Sequence, residues 1–126
     1  MGNGPLIEKS VDFAARIVKL HDHLKKNQEY IISRQIIRSG TSIGANINEA
    51  AYAQSLADFI SKLSIALKET AETEYWLKLL FRSEYISEVM YNSIIADCLE
   101  IKKMLISSLN TSKRKLTGNE EKNSWD

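Results

Sequence analysis

The feature that most constrains this chain is the stretch from Arg38 to Ala51, RSGTSIGANINEAA, which has helical periodicity but contains two glycines. Each glycine inside a helix costs roughly 0.5–1 kcal/mol relative to alanine. At about 100° per residue, Gly40 and Gly44 lie with Ala51 on one flank of the arc that faces the core. The arc itself comprises Ile32, Ile36, Ser39, Gly40, Ile43, Asn46, Ile47 and Ala50. Such a strip of small residues predicts that another helix crosses at close range. A close crossing, together with one hydrogen-bonded amide side chain, is one explanation of the whole stretch.

Polar residues occupy the opposite flank of the same stretch, at Arg38, Ser42 and Glu49. Arg38 and Glu49 are separated by about 16 Å of helix rise, too far for a direct bond. We therefore expect Arg38, Asn46 and Glu49 each to find a partner on another helix or subunit, with Asn46 bonding to backbone or to Glu74. Glu74 projects from the apolar face of the third helix. Because an unpaired buried carboxylate is costly, we expect it to meet a donor from the second helix or another subunit.

This stretch resembles the signature of the 23S rRNA intervening-sequence proteins, a family of four-helix bundles. Its pattern, R-(R/S)-A-x-S-I-x-A-N-I-x-E-(G/A), is matched by Arg38, Ser39, Ser42, Ile43, Ala45, Asn46, Ile47 and Glu49. Three residues depart from the pattern. Gly40 stands where the family usually has Ala, Gly44 where it has Pro or Ala, and Ala50 where it has Gly. The later segment DFISKLSIALKETAETEYWL also resembles the family's third helix. The resemblance covers about residues 7–112.

The resemblance implies a fold and an assembly more directly than a role, because no biochemical activity is firmly assigned to the family. Its relatives include the accessory protein of diversity-generating retroelements, a homopentamer that binds nucleic acid and a reverse transcriptase. The resemblance therefore implies a homo-oligomer, and specifically a pentamer. Its candidate partners are RNA or DNA and a protein such as a reverse transcriptase.

Hydrophobic periodicity predicts four helices, approximately over residues 6–26, 29–53, 56–82 and 87–110. Ser55 and Ser87 are the expected N-caps of the third and fourth helices. Long amphipathic helices with short polar links predict an all-α, antiparallel up-down-up-down four-helix bundle. We assign residues 1–112 to this bundle and residues 113–126 to a flexible polar tail. The predicted apolar face of the first helix is Leu6, Ile7, Val11, Phe13, Ala14, Ile17, Val18, His21 and Leu24.

The third and fourth helices carry more apolar surface than a single bundle can bury. Each adds a second apolar stripe beside the one that faces the core. The added residues are Ile65, Trp76, Leu79, Ile95, Leu99 and Ile106. These residues predict a homo-oligomer independently of the resemblance, whereas the number five comes only from the resemblance.

Charge does not identify a nucleic-acid binder at the level of the whole chain, since 17 Lys and Arg face 16 acids. Local clusters on the first helix and after the fourth helix could nevertheless contact phosphates. The candidate residues are Lys9, Arg16, Lys19, Lys26, Lys113, Arg114 and Lys115. Two structural interpretations stay open, because the first cluster could be a solvated helix face and the second could complement the negative end of a helix.

Catalytic and metal chemistry are not indicated. Two histidines on one helix, lying about 200° apart, cannot share a metal ion, and we expect His21 to be a core histidine. Arg16 and His21 form an R-x4-H string that resembles the motif of the HEPN ribonucleases. Ile17 departs from that motif, however, and the pair is separated by about 140° on the helix. We expect no enzyme activity, metal or cofactor and keep a HEPN-like ribonuclease as a remote alternative.

The remaining sequence features indicate a cytoplasmic protein. Cys98 is the single cysteine, which excludes an intramolecular disulfide, and no apolar run reaches the roughly 18 residues of a membrane span. Two functions stay open from sequence alone. The first is a non-catalytic, oligomeric nucleic-acid-binding accessory protein. The second is a protein scaffold that binds no nucleic acid.

Overall fold

The computed structural model describes the backbone of residues 4–124 and the side chains of residues 4–118. Within that range the chain forms four helices and no strand: α1 (Gly4–Lys26), α2 (Ile32–Ala50), α3 (Leu56–Arg82) and α4 (Glu88–Ser124). Each helix packs on its neighbour in sequence, and α4 also packs on α1. The predicted all-α four-helix bundle is confirmed. None of the described helices combines the length and apolarity that crossing a membrane requires.

Buried residues recur at alternating spacings of three and four along the helices. In α1 they are Leu6, Ser10, Phe13, Ile17, Leu20 and Leu24. In α3 they are Phe59, Leu63, Ala66, Thr70, Thr73, Leu77 and Leu80. A repeat close to 3.5 residues is the packing pattern of helices that cross at shallow angles in four-helix bundles. The core is therefore a stack of side-chain layers along the bundle axis.

The predicted apolar face of α1 is wrong at several positions. Val11 and Val18 are exposed, whereas Leu20, which the prediction omitted, is buried. His21 is only partly buried, with its Nδ1 atom 3.6 Å from a carboxylate oxygen of Asp22, and is not a core histidine. An arc drawn at 3.6 residues per turn drifts by about 20° per heptad from the 3.5-residue repeat of the core. Because of that drift, the predicted apolar face included Val11 and Val18 and omitted Leu20.

The second helix is shorter than predicted, because both of its ends are replaced by turns. Gln28 has a left-handed backbone with φ of 64°, which ends the helical path of α1. The Glu29 carboxylate then accepts a 2.8 Å hydrogen bond from the Ser33 amide, so Glu29 precedes α2. At the other end, the amides of Tyr52 and Ala53 bond to carbonyls three residues earlier, and α2 ends at Ala50.

The N-termini of α3 and α4 confirm the predicted capping residues. The Ser55 side chain accepts a 3.0 Å bond from the Asp58 amide, and the Ser87 hydroxyl accepts a 3.1 Å bond from the Met90 amide. Both bonds satisfy amides that have no partner within the helix.

The fourth helix extends beyond its predicted end near Asn110, and that prediction is wrong. The helix continues to Ser124, and Ser112 is still buried. Residues 111–118 contain no proline and several strong helix formers, so nothing local stops the helix. The predicted tail over residues 113–126 is thus helical as far as Ser124, and Trp125 and Asp126 lie outside the described residues. The division into bundle and tail stays a prediction.

The small residues of α2 pack against α1, which confirms the predicted close crossing. A Cβ atom built on Gly40 would lie 2.8 Å from Cγ2 and 2.9 Å from Cγ1 of Ile17. A Cβ atom on Gly44 would lie 3.2 Å from the Ser10 hydroxyl oxygen and 3.5 Å from the Ser10 carbonyl oxygen. Because Gly40 and Gly44 have no side chains, Ile17 and the backbone of α1 can approach α2 closely.

We predict that Gly40→Ala destabilises the protein by up to about 2 kcal/mol. Alanine favours a helix by roughly 1 kcal/mol, but its methyl group would overlap the Ile17 side chain, and overpacking typically costs about 1–3 kcal/mol. The free energy of unfolding from urea titration at fixed protein concentration measures the change. Gly118→Ala is the control, because a Cβ atom there meets nothing within 4 Å. Equal stability of the two variants would contradict the role of the Gly40 contact.

Candidate nucleic-acid interface

Two of the predicted phosphate-binding cations on α1 are engaged by acids of α4. Lys9 Nζ lies 2.8 Å from a carboxylate oxygen of Glu100, and this hydrogen bond raises the pKa of Lys9. Arg16 donates through Nη1 to Asp97 at 2.7 Å and through Nη2 to the Ser93 hydroxyl at 2.7 Å. Lys9 and Arg16 therefore belong to the contact between α1 and α4 rather than to an open basic stripe.

The remaining predicted cations of α1, Lys19 and Lys26, lie toward the end of α1 that turns into α2. Both are exposed, as are Lys25 at the end of α1 and Arg34 in the first turn of α2. Lys25 and Arg34 line one pocket, whereas Lys19 lines the cleft between α1 and α4. None of these four cations forms an ion pair with an acid among residues 4–118. We call Lys19, Lys25, Lys26 and Arg34 the basic corner.

The sequence prediction missed Lys25 and Arg34, because they lie on two different helices. Their proximity depends on the turn between α1 and α2, which no helical projection of a single segment includes. A cation in the first turn of α2, where acids are favoured, was the one available signal.

A small pocket lies within the basic corner. It has a volume of about 140 Å³ and is lined by His21, Lys25, Tyr30, Ser33 and Arg34. A wider cleft of about 280 Å³ lies between α1 and α4, and its lining residues are Arg16, Lys19, Leu20, His23, Met90 and Ile94. The seam between α1 and α4, held by ion pairs as far as Arg16, thus opens toward the basic corner.

The second predicted cluster, on α4, lies far from this corner. Lys113, Arg114 and Lys115 are exposed on α4, and Arg114 Nε donates to the Asn110 carbonyl at 3.3 Å. The start of α4 and Arg114 are about 40 Å apart along the helix, at 1.5 Å per residue. The predicted nucleic-acid-binding residues therefore form two separate clusters on one subunit.

Of the three motif residues that we expected to find partners on another helix or subunit, Arg38 and Glu49 contact α3. Arg38 donates to Glu69 at 3.2 Å and also to Glu72, and Glu49 lies 3.3 Å from Lys62 Nζ. These contacts confirm partners on another helix. Because Arg38 and Glu49 are half or more exposed, each pair stabilises the fold by at most about 1 kcal/mol, less than burial would imply.

Asn46 does not reach another helix, so the prediction for it is wrong in that respect. Its amide donates to the Ser42 carbonyl one turn earlier, at 2.9 Å, which satisfies the side chain within α2. The predicted donor for Glu74 from the second helix is also wrong, whereas a donor from another subunit stays a prediction. The Glu74 carboxylate is bonded by Lys102 of α4 at 3.1 Å, with Lys78 of α3 at 4.0 Å, because the α4-facing flank of α3 carries Glu74.

The predicted oligomer residues lie on two surfaces, one on α3 and one on α4. Ile65 and Leu79 share a flank of α3 with Glu72, at spacings of seven residues, and Glu72 contacts α2. Glu74, about 180° from Ile65, contacts α4 through Lys102, and Leu99 and Ile106 flank Lys102. Ile65, Leu99 and Ile106 are exposed by 39%, 43% and 41%, whereas Trp76, Leu79 and Ile95 are partly buried.

Among residues 4–118, Arg16, His21 and Cys98 do not converge on one site. Arg16 contacts α4, whereas His21 lines the pocket that includes Arg34 of α2, so the R-x4-H pair does not meet in one site. Burial raises the pKa of the Cys98 thiol to about 12, which keeps it protonated and unreactive at neutral pH. Among the described residues no group of His, Cys, Asp and Glu could hold a metal ion.

We predict that Arg16→Gln lowers the free energy of unfolding by about 1 kcal/mol, because it removes charge-assisted bonds to Asp97 and Ser93. Lys19→Gln is the matched control, since Lys19 has no carboxylate partner among the described residues, and it should change stability little. Urea titration at one protein concentration compares the two variants. Equal decreases would show that Arg16 does not hold α1 and α4 together.

Comparison with known proteins agrees with this structure. The family model of the 23S rRNA-intervening sequence proteins matches residues 5–107. A crystal structure from Bacteroides thetaiotaomicron, a protein with unknown function from the S23 ribosomal protein family, is 58% identical and superposes with a TM-score of 0.82. The match covers 82% of this chain and 97% of that chain. Among curated proteins no sequence matches. The chain belongs to the family of 23S rRNA-intervening sequence proteins.

Proposed function

We propose that this protein is a non-catalytic oligomer that binds nucleic acid through phosphate contacts at the basic corner. The observation that carries the proposal is the set of Lys19, Lys25, Lys26 and Arg34, which are exposed and have no carboxylate partner within residues 4–118. Lys9, Arg16 and Arg38 are by contrast engaged by acids. Exposed cations without such a partner also occur on α3 and α4, for example Lys68 and Lys103. Cations without partners on one surface favour a polyanion as the ligand.

Helix electrostatics account for only part of the basic corner. Lys25 and Lys26 lie in the last turn of α1, where positive charge stabilises the negative end of the helix. Arg34 lies in the first turn of α2, which contains no acid, and there positive charge is unfavourable. Since its position does not stabilise the helix, a bound anion is the better explanation for Arg34.

We infer that neighbouring helices run antiparallel. Ion pairs support this arrangement, because rising residue numbers on one helix meet falling numbers on the next. Arg38 meets Glu72 and Glu49 meets Lys62 between α2 and α3. Lys9 meets Glu100 and Arg16 meets Asp97 between α1 and α4. An antiparallel bundle puts the basic corner and Lys113–Lys115 at opposite ends.

The oligomer is supported by the two apolar surfaces on either side of α3. In a closed ring each subunit contacts its two neighbours through two different surfaces. Here one such surface contains Ile65 and Leu79, and the other contains Leu99 and Ile106. A ring also repeats the basic corner in every subunit. Several weak sites that engage one polyanion together raise the affinity well above that of one site. The number five follows from the family resemblance.

We predict that light scattering at micromolar concentration gives the mass of an oligomer, and from the family resemblance we expect a pentamer. Leu99→Glu should reduce the mass, because it inserts a charge into an apolar contact. Val89→Glu is the matched control, since Val89 is exposed but lies outside both apolar surfaces. A monomeric mass for the unchanged protein would refute the oligomer.

We predict that binding of RNA or DNA weakens steeply with salt and depends on the basic corner. Filter-binding titrations at several salt concentrations should compare the unchanged protein with the triple variant Lys19→Gln, Lys25→Gln and Arg34→Gln. The slope of log affinity against log salt should become shallower by about one for each phosphate that the variant no longer neutralises.

The control is the triple variant Lys68→Gln, Arg82→Gln and Lys103→Gln, which removes two lysines and one arginine from other exposed positions. It should retain most of the affinity. An equal decrease in both triple variants would show that only net charge matters. If the unchanged protein binds nothing at low salt, the protein scaffold becomes the better interpretation of this bundle.

A further inference from the structure

The pocket in the basic corner combines cations with an aromatic ring at the surface. It is lined by His21, Lys25, Tyr30, Ser33 and Arg34 and has a volume of about 140 Å³. That size suits a phosphate group and is below the roughly 300 Å³ at which drug-sized ligand pockets begin. Lys25 and Arg34 come from different helices, so a ligand between them would be held from two sides.

The acids nearest in sequence to the residues of this pocket, Asp22 and Glu29, do not neutralise its cations. Glu29 is buried, and its carboxylate accepts the Ser33 amide at 2.8 Å, so it is engaged at the start of α2. Asp22 lies 3.6 Å from His21 and is not among the residues that line the pocket. Neither acid forms an ion pair with Lys25 or Arg34. The pocket therefore has an excess of positive charge that is available to an anion.

Tyr30 distinguishes this pocket from a simple phosphate site. Its side chain is 52% exposed, and the two aromatic pairs of the described residues, Tyr75 with Trp76 and Phe81 with Tyr91, do not include it. Exposed rings beside cations are how proteins hold single strands, since bases stack on the ring while cations follow the phosphates. Bases within a duplex are stacked on one another and present no free face to a side chain.

We propose that this pocket binds a nucleotide of single-stranded nucleic acid, with its phosphate between Lys25 and Arg34 and its base against Tyr30. This inference rests on the proposed function and narrows it from nucleic acid in general to unpaired strands. Stacking on one tyrosine accepts any base, so the site has little sequence preference. Repetition of the pocket around an oligomer would let one flexible strand occupy several subunits.

The test is fluorescence anisotropy with a labelled oligouridine and with a labelled duplex of equal length, at one salt concentration. The unchanged protein should bind the single strand more tightly. Tyr30→Ala should weaken single-strand binding about five-fold or more and leave duplex binding unchanged. Tyr30→Phe keeps the ring and should bind like the unchanged protein. Tyr52→Ala is the matched control, because Tyr52 is 81% exposed at the turn between α2 and α3.

The outcomes separate this inference from the broader proposal. Equal affinity for strand and duplex, or equal effects of Tyr30→Ala and Tyr52→Ala, would overturn the stacking site and leave phosphate binding at the basic corner intact. No binding of either nucleic acid would refute both proposals. Thermal unfolding followed by circular dichroism verifies that each variant is folded, and Tyr30→Phe supplies the ring-retaining comparison if Tyr30→Ala is unstable.

Discussion

The contact of Ile17 with the bare backbone of Gly40 is the interaction on which the arrangement of α1 and α2 depends. With any larger residue at position 40, a Cβ atom would lie within 2.9 Å of two atoms of Ile17, so that either the Ile17 side chain or the two helices would have to shift. Gly44 repeats the relation one turn later against Ser10. Close packing along these turns offsets the conformational cost of two helical glycines. This packing also fixes the position of α2 relative to α1. It therefore sets the distance between Lys25 and Arg34, which lie on either side of the turn that joins the two helices.

Buried polar contacts add specificity to a core that is otherwise a regular apolar repeat. The hydroxyl of Thr73 lies 2.8 Å from that of Ser39 across α2 and α3, and the Cys98 thiol donates to the Thr70 carbonyl at 3.7 Å across α3 and α4. Each hydroxyl also bonds a carbonyl of its own helix, so a shift of either helix by one turn would lose the bonds between helices but would keep these local ones. The polar layer therefore disfavours the alternative alignments that apolar layers alone would tolerate.

Sequence periodicity predicted the helices and the close crossing well, because both depend on residues that are neighbours along one helix. The limits of α3 and the capping role of Ser55 were predicted correctly for the same local reason. The partners of Arg16 and Glu74 were not predictable, since Asp97 and Lys102 are brought to them by packing across helices. The predicted end of α4 was wrong because a polar composition does not by itself stop a helix. The residues beyond Asn110 favour helix formation, and Ser112 is still buried.

The near-zero net charge of the chain conceals an uneven distribution of that charge. Acids of α4 engage Lys9 and Arg16, and acids of α3 engage Arg38, so much of the negative charge is committed to contacts between helices. The cations at the turn between α1 and α2 have no such partners, and Glu29, the acid nearest in sequence, is turned inward to hold the start of α2. Whole-chain charge therefore says little about binding in a bundle of this kind. The functional surface that we propose is defined by cations that have no acid partner within residues 4–118, and two of them, Lys25 and Arg34, line one pocket with the exposed ring of Tyr30.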